Sequence, residues 1–216
     1  MTLYTNNPYQ TDIIGACIIQ PNRIIPKKEE WCTDPNQPIP DTSPEPTLNT
    51  ELMFSSKSQK HLTPKHLLIT VEEFFNGQID LDPCSNSETK PNVPALVHFT
   101  ENTNGLDRSW YGKVFVNPPY SRYVNEWVNK CIQEYNEGHT TEIILLVAAR
   151  PDNRWFNSLQ NHPWCAIKGR LKFSDAENSA PFPSALFYIG PCDRYRAFYE
   201  KFGFYGPIYK STTFSL

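Results

Sequence analysis

The sequence predicts an α/β fold with a mostly parallel central sheet, and three consecutive segments carry that prediction. Residues 124–135 place apolar side chains three and four positions apart, which is the stripe of an amphipathic helix. An apolar strand at 114–116 precedes this helix, and residues 143–148 follow it as a run that is apolar on both faces. A strand with two apolar faces is typical of a parallel sheet covered by helices on each side. Strand, helix and strand in this order predict a βαβ unit.

The first 60 residues differ in composition from the rest of the chain. Prolines stand at positions 35, 38, 40, 44 and 46, and each lacks the amide hydrogen that a helix interior or a central strand needs. We therefore expect residues 1–60 to form a proline-rich, largely disordered extension. A length of 216 residues suits one domain with such an appendage, so residues 61–216 are predicted to fold as a single domain.

The folded part is predicted to begin with a helix. Thr63 is expected to be its N-cap, with Pro64 at its first helical position. Apolar residues then recur at helical spacing as far as residue 75. The short strands 79–82 and 95–99 follow and lead towards the central strand.

Two carboxylates in this part of the chain are candidate cofactor contacts. Asp82 ends a strand and is followed by Pro83. A carboxylate at a strand end suits a hydroxyl or amine of a cofactor, and it equally suits a simple Asp-Pro turn. Asp107 lies in the turn-rich segment before residue 114, and it too is either a cofactor contact or an ordinary loop residue.

The second half of the chain is predicted to contain a short helix near 155–159, strands within 165–173 and at 185–189, a helix at 193–202 and a last strand at 206–209. The strand within 165–173 carries Lys168, Arg170 and Lys172, the densest basic run in the chain. Alternate residues of a strand share a face. This face suits either contacts with phosphates or exposure to solvent.

The net charge argues against a tight non-specific nucleic-acid binder, and the cysteine spacing argues against a metal-binding protein. Lys and Arg number 20 and Asp and Glu number 23, a net charge of −3, whereas tight non-specific nucleic-acid binders usually have a basic excess. A local basic patch is still compatible with this balance. The six cysteines are scattered without a C-x-x-C pair or a Cys/His cluster, so we expect no metal site. Scattered thiols without a signal peptide predict a protein of the reducing cytoplasm with no membrane segment.

The strand at 114–116 ends abruptly in Asn117, Pro118, Pro119 and Tyr120. Pro118 has no amide hydrogen and cannot extend a central ladder, so the chain must leave the sheet here. Ligands of open α/β sheets bind at the carboxyl ends of the strands, which is where Asn117 is expected to lie. The structural alternative is a Pro-Pro turn with a tyrosine that merely packs. The full Asn-Pro-Pro-Tyr box directly after a hydrophobic strand favours a functional role.

The Asn-Pro-Pro-Tyr box offers what methylation of a conjugated amine requires. The lone pair of such an amine is delocalised into its ring, and two acceptors that hold its two hydrogens favour the pyramidal, nucleophilic form. The Asn117 side-chain carbonyl provides one acceptor. The Pro118 carbonyl, whose flanking φ angles are locked by proline rings, provides the second. Tyr120 provides a flat face on which a base stacks.

Several landmarks follow one another along the chain: Thr63-Pro64, Leu81-Asp82-Pro83-Cys84, Asn104-Gly105-Leu106 with Trp110, the Asn-Pro-Pro-Tyr box, Ala149-Arg150 with Trp155-Phe156, Gly169-Arg170-Leu171-Lys172-Phe173 and Ala180-Pro181-Phe182-Pro183-Ser184. Their order and spacing resemble those of the phage-type DNA adenine methyltransferases, the phage Dam family. The resemblance spans residues 62–208, and the proline-rich first 60 residues lie outside it.

The resemblance implies a compact Rossmann-like methyltransferase fold without a separate target-recognition domain, in the cytoplasm of a bacterial or phage-infected cell. It implies S-adenosylmethionine as cofactor and double-stranded DNA as partner, with a flipped-out adenine methylated on its N6 amine. Catalysis is assigned to Asn117, Pro118, Pro119 and Tyr120. The cofactor contacts expected are Thr63, Pro64, Asp82, Pro83, Cys84 and Asp107, and the DNA contacts expected are Lys168, Arg170 and Lys172. The loop after Asp82 departs from the broader methyltransferase pattern because it has no glycine-rich turn.

Two alternative functions stay open at this point. Methylases of RNA guanine and of protein glutamine share the Asn-Pro-Pro-Tyr box, and the missing basic excess suits a protein substrate. The landmarks around the box favour adenine in DNA instead. The second alternative is a catalytically silent, prophage-derived protein that binds nucleic acid or the cofactor without turnover. The intact box argues against such a loss of activity.

Overall fold

The computed structural model describes residues 61–174 and 178–210 of the 216-residue chain. The extension predicted for residues 1–60 lies outside the described residues. Four α-helices are present in the described part: α1 (Lys65–Phe74), α2 (Val124–Asn136), α3 (Arg154–Asn157) and α4 (Tyr195–Phe202). Seven strands accompany them: β1 (Ile79–Asp82), β2 (Ala95–His98), β3 (Gly112–Val116), β4 (Thr140–Ala148), β5 (Trp164–Ala166), β6 (Ser184–Ile189) and β7 (Ile208–Tyr209).

The seven strands form one mixed sheet in the order β2-β1-β3-β4-β6-β5-β7. The pairs β2–β1, β1–β3 and β3–β4 are parallel, whereas β4–β6, β6–β5 and β5–β7 are antiparallel. The prediction of a mostly parallel sheet therefore describes only the first four strands and is wrong for the other half. The chain between β5 and β6 contains no crossover helix in its described residues, and adjacent parallel strands require such a crossover.

Helices cover both faces of the sheet, so the described part of the chain has three layers. Buried side chains of α1 and α4 pack on one face, and those of α2 and α3 pack on the other. Strand β4 contributes side chains to both hydrophobic cores. Ile144 and Leu146 pack with α1 and α4, whereas Ile143 and Leu145 pack with α2 and α3. This alternation confirms the strand with two apolar faces predicted at 143–148, and β3, α2 and β4 form the predicted parallel βαβ unit.

The predicted N-cap of α1 and the predicted strand for the basic run are both wrong. Pro64, not Thr63, occupies the N-cap position of α1, and its carbonyl accepts the first helical N–H groups, from Leu67 and Leu68. The basic run does not lie in a strand either, since β5 ends at Ala166. Gly169 has a φ of +71°, which breaks the extended backbone shortly after the strand.

The sheet brings several loops to one edge. β1 and β3 are parallel neighbours, so their carboxyl ends, Asp82 and the box after Val116, lie side by side. β6 runs the other way, and its first residue, Ser184, pairs with Ala148 at the end of β4. The loop that enters β6 therefore lies at the same edge as the box. Ligands of α/β sheets bind at this kind of edge.

Candidate active site

A cavity of about 630 Å³ opens at the edge where β1 and β3 end. Its lining includes the chain around Asp82, the polar loops 85–89 and 100–102, and the Asn-Pro-Pro-Tyr box. Eight of the residues predicted for the site line this one cavity: Thr63, Asp82, Pro83, Cys84, Asn117, Pro118, Pro119 and Tyr120. A volume of this size falls within the range of small-molecule sites, roughly 300–1,000 Å³.

The amide of Asn117 is held with its oxygen free. Its Nδ2 donates to the backbone carbonyl of His61 at 2.8 Å and to Oγ1 of Thr63 at 3.1 Å. The His61 carbonyl is only an acceptor, so this contact fixes which end of the amide is the NH2 group. Asn117 Oδ1 is buried and has no hydrogen-bond partner among the described residues. Such an orphaned acceptor costs roughly 1–3 kcal/mol, and an incoming N–H donor would remove that cost.

The two prolines of the box differ in what their carbonyls do. The Pro119 carbonyl accepts the N–H of Ser121 at 2.8 Å and so belongs to the turn that follows the box. Pro118 is buried directly after Asn117 and lines the cavity. Its carbonyl therefore stays the candidate for the second acceptor beside Asn117 Oδ1.

Tyr120 lies in an aromatic cluster. Its ring centroid is 4.6 Å from that of Phe182 in a near-parallel stack, 4.8 Å from that of His61 edge-on, and 5.8 Å from that of Phe173. Burial raises the pKa of the Tyr120 phenol far above its ordinary value, so the ring stays neutral. Its hydroxyl oxygen is buried without a hydrogen-bond partner in the described part of the chain. The role expected of a neutral ring held in such a cluster is stacking.

His61, Phe173 and Phe182 had no role predicted from the sequence. Phe173 follows the basic run and Phe182 lies between two prolines, which is a weak signal, because aromatic residues are as common in cores as in sites. Ring contacts with Tyr120 and with one another identify the three as one cluster.

Asp82 closes the Asp-Pro turn that the sequence suggested, and its position also suits contact with a cofactor. Its side chain is buried, and its Oδ1 accepts the N–H of Cys84 at 3.0 Å, which closes the Asp-Pro turn. Its Oδ2 lies 3.9 Å from Nδ1 of His98, at the end of β2. Burial raises the pKa of Asp82, against the opposing effect of His98 and the Cys84 N–H. The same carboxylate lines the cavity, so a structural turn and a ligand contact are compatible here.

The loop after Asp82 is tied together by polar side chains and not by a glycine-rich turn. Asn86 Oδ1 accepts the backbone N–H of Asn92 at 2.7 Å, and Ser87 Oγ accepts that of Lys90 at 3.1 Å. Glu88 Oε1 accepts the hydroxyl of Thr100 at 3.0 Å, which links the loop to the segment after β2. The residues whose side chains make these hydrogen bonds line the cavity, and none of them was predicted from the sequence. Their high density of Ser, Asn and Thr was the available signal.

Asp107 is not part of the cavity. Its Oδ2 accepts from Nδ2 of Asn104 at 2.6 Å, in a short 3-10 turn. Gly105 in this turn lies so close to the end of β1 that an added Cβ would be 2.1 Å from the Pro83 carbonyl oxygen. The Asn104-Gly105 landmark thus packs against Pro83, which lines the cavity next to Asp82. Pro64 is also outside the cavity lining, and both cofactor contacts stay predictions.

The basic run lies beside the site and not inside it. Lys168, Arg170 and Lys172 are exposed, while Leu171 and Phe173 between and after them are buried. The three cations are therefore exposed to solvent, but they lie in an irregular segment and not on a strand. Phe173 contacts Tyr120, so the run adjoins the aromatic cluster. Its contact with DNA stays a prediction.

Within residues 61–174 and 178–210, no group of three or more His, Cys, Asp or Glu side chains is arranged to hold a metal ion. No helix in the same residues is long and apolar enough to cross a bilayer.

Comparison with known proteins settles the family. The model of the family DNA N-6-adenine-methyltransferase (Dam) matches residues 52–185, well over half of the chain. This chain belongs to the Dam family. The family inferred from the sequence landmarks is confirmed, and membership of this family indicates an adenine-specific DNA methyltransferase. The matched segment of this Dam-family enzyme includes the whole cavity lining and the aromatic cluster. A search of curated proteins finds no significant match.

Proposed function

We propose that this Dam-family enzyme transfers a methyl group from S-adenosylmethionine to the exocyclic N6 amine of adenine in double-stranded DNA. The observation that carries the proposal is the orphaned, buried Oδ1 of Asn117, a residue that lines the same cavity as Tyr120. An adenine inside a duplex cannot reach such a cavity, so the base must rotate out of the helix. The three-layer fold around the sheet supports assignment to the Rossmann-like methyltransferases.

The cofactor is assigned to the end of the cavity around Asp82. The donor set there fits it: a buried carboxylate, the Cys84 region and the polar loop 85–89 offer acceptors for hydroxyl and amino groups. When bound, S-adenosylmethionine supplies an electrophilic methyl group on a positively charged sulfur. Asp82 would hold a polar group of the cofactor, and the loop that Glu88 links to Thr100 would offer further polar contacts.

The target adenine is assigned to the end of the cavity formed by the box. Asn117 Oδ1 and the Pro118 carbonyl would each accept one hydrogen of the N6 amine, which draws its lone pair out of conjugation with the ring. Tyr120 would hold the plane of the base by stacking, worth about 1–3 kcal/mol per base. The protein provides acceptors and position, and correct placement of the amine against the methyl group lowers the barrier.

The exposed run of Lys168, Arg170 and Lys172 is assigned to the DNA backbone. Phosphate contacts orient a duplex without reading its sequence, and a run next to the Tyr120 cluster is well placed to hold DNA while one base enters the cavity. Since the net charge of the chain is −3, attraction must come from this local patch. We place the reaction in the cytoplasm of a bacterial or phage-infected cell.

Transfer of labelled methyl groups tests the proposal. The full chain is incubated with methyl-labelled S-adenosylmethionine and, separately, duplex DNA, RNA or protein, and the DNA is digested to nucleosides. We expect label in DNA alone, in N6-methyl-deoxyadenosine, and none with the Asn117→Ala variant. Label in RNA or protein, in another base, or in no substrate would overturn the proposal.

A further inference from the structure

Thr63 is buried next to the catalytic box although it lies at the start of the first helix. Its side chain is 1% exposed, and Pro64 takes the N-cap position that the sequence predicted for it. Its hydroxyl oxygen instead accepts a hydrogen bond from Nδ2 of Asn117 at 3.1 Å, across 54 positions of sequence. A threonine buried beside a strand end, with its hydroxyl on the catalytic amide, is not explained by helix capping.

Two acceptors share the two hydrogens of Asn117 Nδ2. The His61 carbonyl takes one and Thr63 Oγ1 takes the other. One acceptor alone decides which end of the amide is nitrogen, but the amide plane can still turn about that single contact. The second acceptor fixes the plane, and with it the direction in which Oδ1 points. The hydrogen bond to Thr63 Oγ1 therefore sets the direction of Asn117 Oδ1.

Thr63 is itself rigidly held. A β-branched side chain has little freedom about χ1, and the proline that follows restricts the Thr63 backbone to extended conformations. The Thr63 carbonyl accepts from Nδ2 of Asn92 at 3.0 Å and from Oγ of Ser174 at 3.3 Å. Asn92 belongs to the loop at the Asp82 end of the cavity, and Ser174 follows the basic run. The backbone of the residue that holds Asn117 is therefore fixed by two separate segments of the chain.

We propose that Thr63 is a positioning residue for methyl transfer, whose hydroxyl fixes the plane of the Asn117 amide so that Oδ1 meets the target amine. This inference rests on the function proposed above. It gives the Thr63 side chain a role different from the cofactor contact that the family resemblance implies. A positioning residue acts on the rate of the chemical step, whereas a cofactor contact acts on cofactor affinity.

The test compares three variants of Thr63 in the full chain. Thr63→Val keeps the shape of the side chain and removes the hydroxyl acceptor, whereas Thr63→Ser keeps the hydroxyl. If the Val variant does not fold, Thr63→Ala replaces it in the comparison with Thr63→Ser. Thr140→Val is the matched control, because Thr140 is 3% exposed at the start of β4 and its hydroxyl has no hydrogen-bond partner in the described chain. Calorimetry gives Kd for S-adenosylmethionine, and steady-state assays on duplex DNA give kcat and KM.

We expect Thr63→Val to lower kcat by about tenfold to a hundredfold, the scale of a small misplacement of a reacting group. The KM for DNA and the Kd for S-adenosylmethionine should change by less than about threefold, since neither involves the orientation of Asn117 Oδ1 in the transition state. Thr63→Ser should restore kcat to within about threefold of the wild type. An unchanged kcat, or a fall in kcat matched by an equal loss of cofactor affinity or left unrestored by Ser, overturns the role of Thr63.

A second readout does not depend on turnover. Hydrogen exchange of the Asn117 side-chain NH2 group, followed by NMR and assigned with Asn117→Ala, should accelerate at least about tenfold in Thr63→Val and not in Thr140→Val, because the Val variant removes one of its two acceptors. Equal exchange in wild type and Thr63→Val overturns the inference. If the wild type and Thr140→Val both fail to methylate DNA, the proposed function fails, and the exchange measurement still decides whether Thr63 fixes the amide.

Discussion

The ring of Tyr120 lies face to face with that of Phe182, with centroids 4.6 Å apart and planes 27° from parallel. Two rings at this spacing are in direct contact and leave no room for a base between them. An adenine that stacks on Tyr120 must use its other face or displace Phe182. Tyr120 and Phe182 are both partly buried, and each is joined directly to a proline in the sequence.

Tyr120 should tolerate loss of its hydroxyl but not of its ring. We expect Tyr120→Phe to keep most of the methyl-transfer activity, because the hydroxyl makes no hydrogen bond in the described structure. Tyr120→Ala should lose about 1–3 kcal/mol of base stacking, measured as kcat/KM on duplex DNA. If Phe is as damaging as Ala, the hydroxyl has a direct role in the reaction and the stacking interpretation is wrong.

Asn117→Ala should abolish turnover and leave S-adenosylmethionine binding nearly intact. An interaction that is stronger in the transition state affects rate more than ground-state binding, and Asn117 is assigned to the amine and not to the cofactor. Calorimetry and methyl-transfer assays on the same preparation measure both quantities. Substantial activity in this variant would remove Asn117 from catalysis.

Asn117→Asp provides a sharper test of the geometry of the amide. A carboxylate has no hydrogens, so one of its oxygens would face the His61 carbonyl, where the structure has an N–H donor 2.8 Å away. We expect a loss of about 1–3 kcal/mol of unfolding free energy, the cost of an unsatisfied buried polar group, together with loss of activity. Equal stability of the Asp variant and the wild type in denaturant unfolding would contradict the observed orientation.

Asp82 is expected to lower the stability of the free protein while it favours cofactor binding. Its pKa is raised by burial, so the folded state binds more protons than the unfolded state between the ordinary pKa and the raised one, and stability falls as pH rises through that window. Asp82→Asn keeps an oxygen for the Cys84 N–H and removes the charge. We expect this variant to have a higher Tm than the wild type at neutral pH and an equal Tm below the ordinary carboxyl range. A wild type that is the more stable of the two at neutral pH would contradict this prediction.

The same variant should bind S-adenosylmethionine more weakly, and Asp82→Ala should bind it more weakly still, because Ala also opens the turn. Calorimetry at neutral pH measures the dissociation constants. Unchanged affinity in both folded variants would leave Asp82 with the turn as its only role.

Removal of charge from the basic run should change the salt dependence of DNA binding. Replacing Lys168, Arg170 and Lys172 by Ala should weaken DNA binding uniformly across sequences. It should also reduce the slope of log K against log salt by about one for each phosphate that the variant no longer neutralises. Arg196→Ala on α4 is the control, since Arg196 is exposed but pairs with Glu200 at 2.9 Å. An equal slope in the triple variant and the wild type would remove the run from the DNA interface.

Removal of residues 1–51 should leave a folded, active enzyme. The deletion takes away the proline run and stops at the start of the family match at residue 52. Circular dichroism, thermal unfolding and methyl transfer by the truncated and full chains provide the comparison. A truncated chain that is insoluble or inactive, when the full chain is soluble and active, would show that the boundary expected near residue 60 is wrong.

Local patterns in the sequence determined the elements of this protein and the identity of its box. The helix at α2 and the strand at β4 follow from apolar periodicity, which is a property of neighbouring residues. The position of the Asn-Pro-Pro-Tyr box at a strand end follows from the missing amide hydrogens of its prolines. Asp82, Asn117 and Tyr120 could therefore be named in advance, and the fold brings them to one cavity.

Only the tertiary structure decided how these residues are used. The antiparallel half of the sheet depends on how β6 inserts between β4 and β5, and strand alternation alone does not encode a partner or its direction. The Asn117 amide is oriented by groups 54 and 56 residues away in the sequence, and Tyr120 packs on a ring from the loop that enters β6. Hydrogen bonds and ring contacts at such separations arise from packing of the whole chain, so no local pattern could reveal that Thr63 faces the box instead of capping its helix.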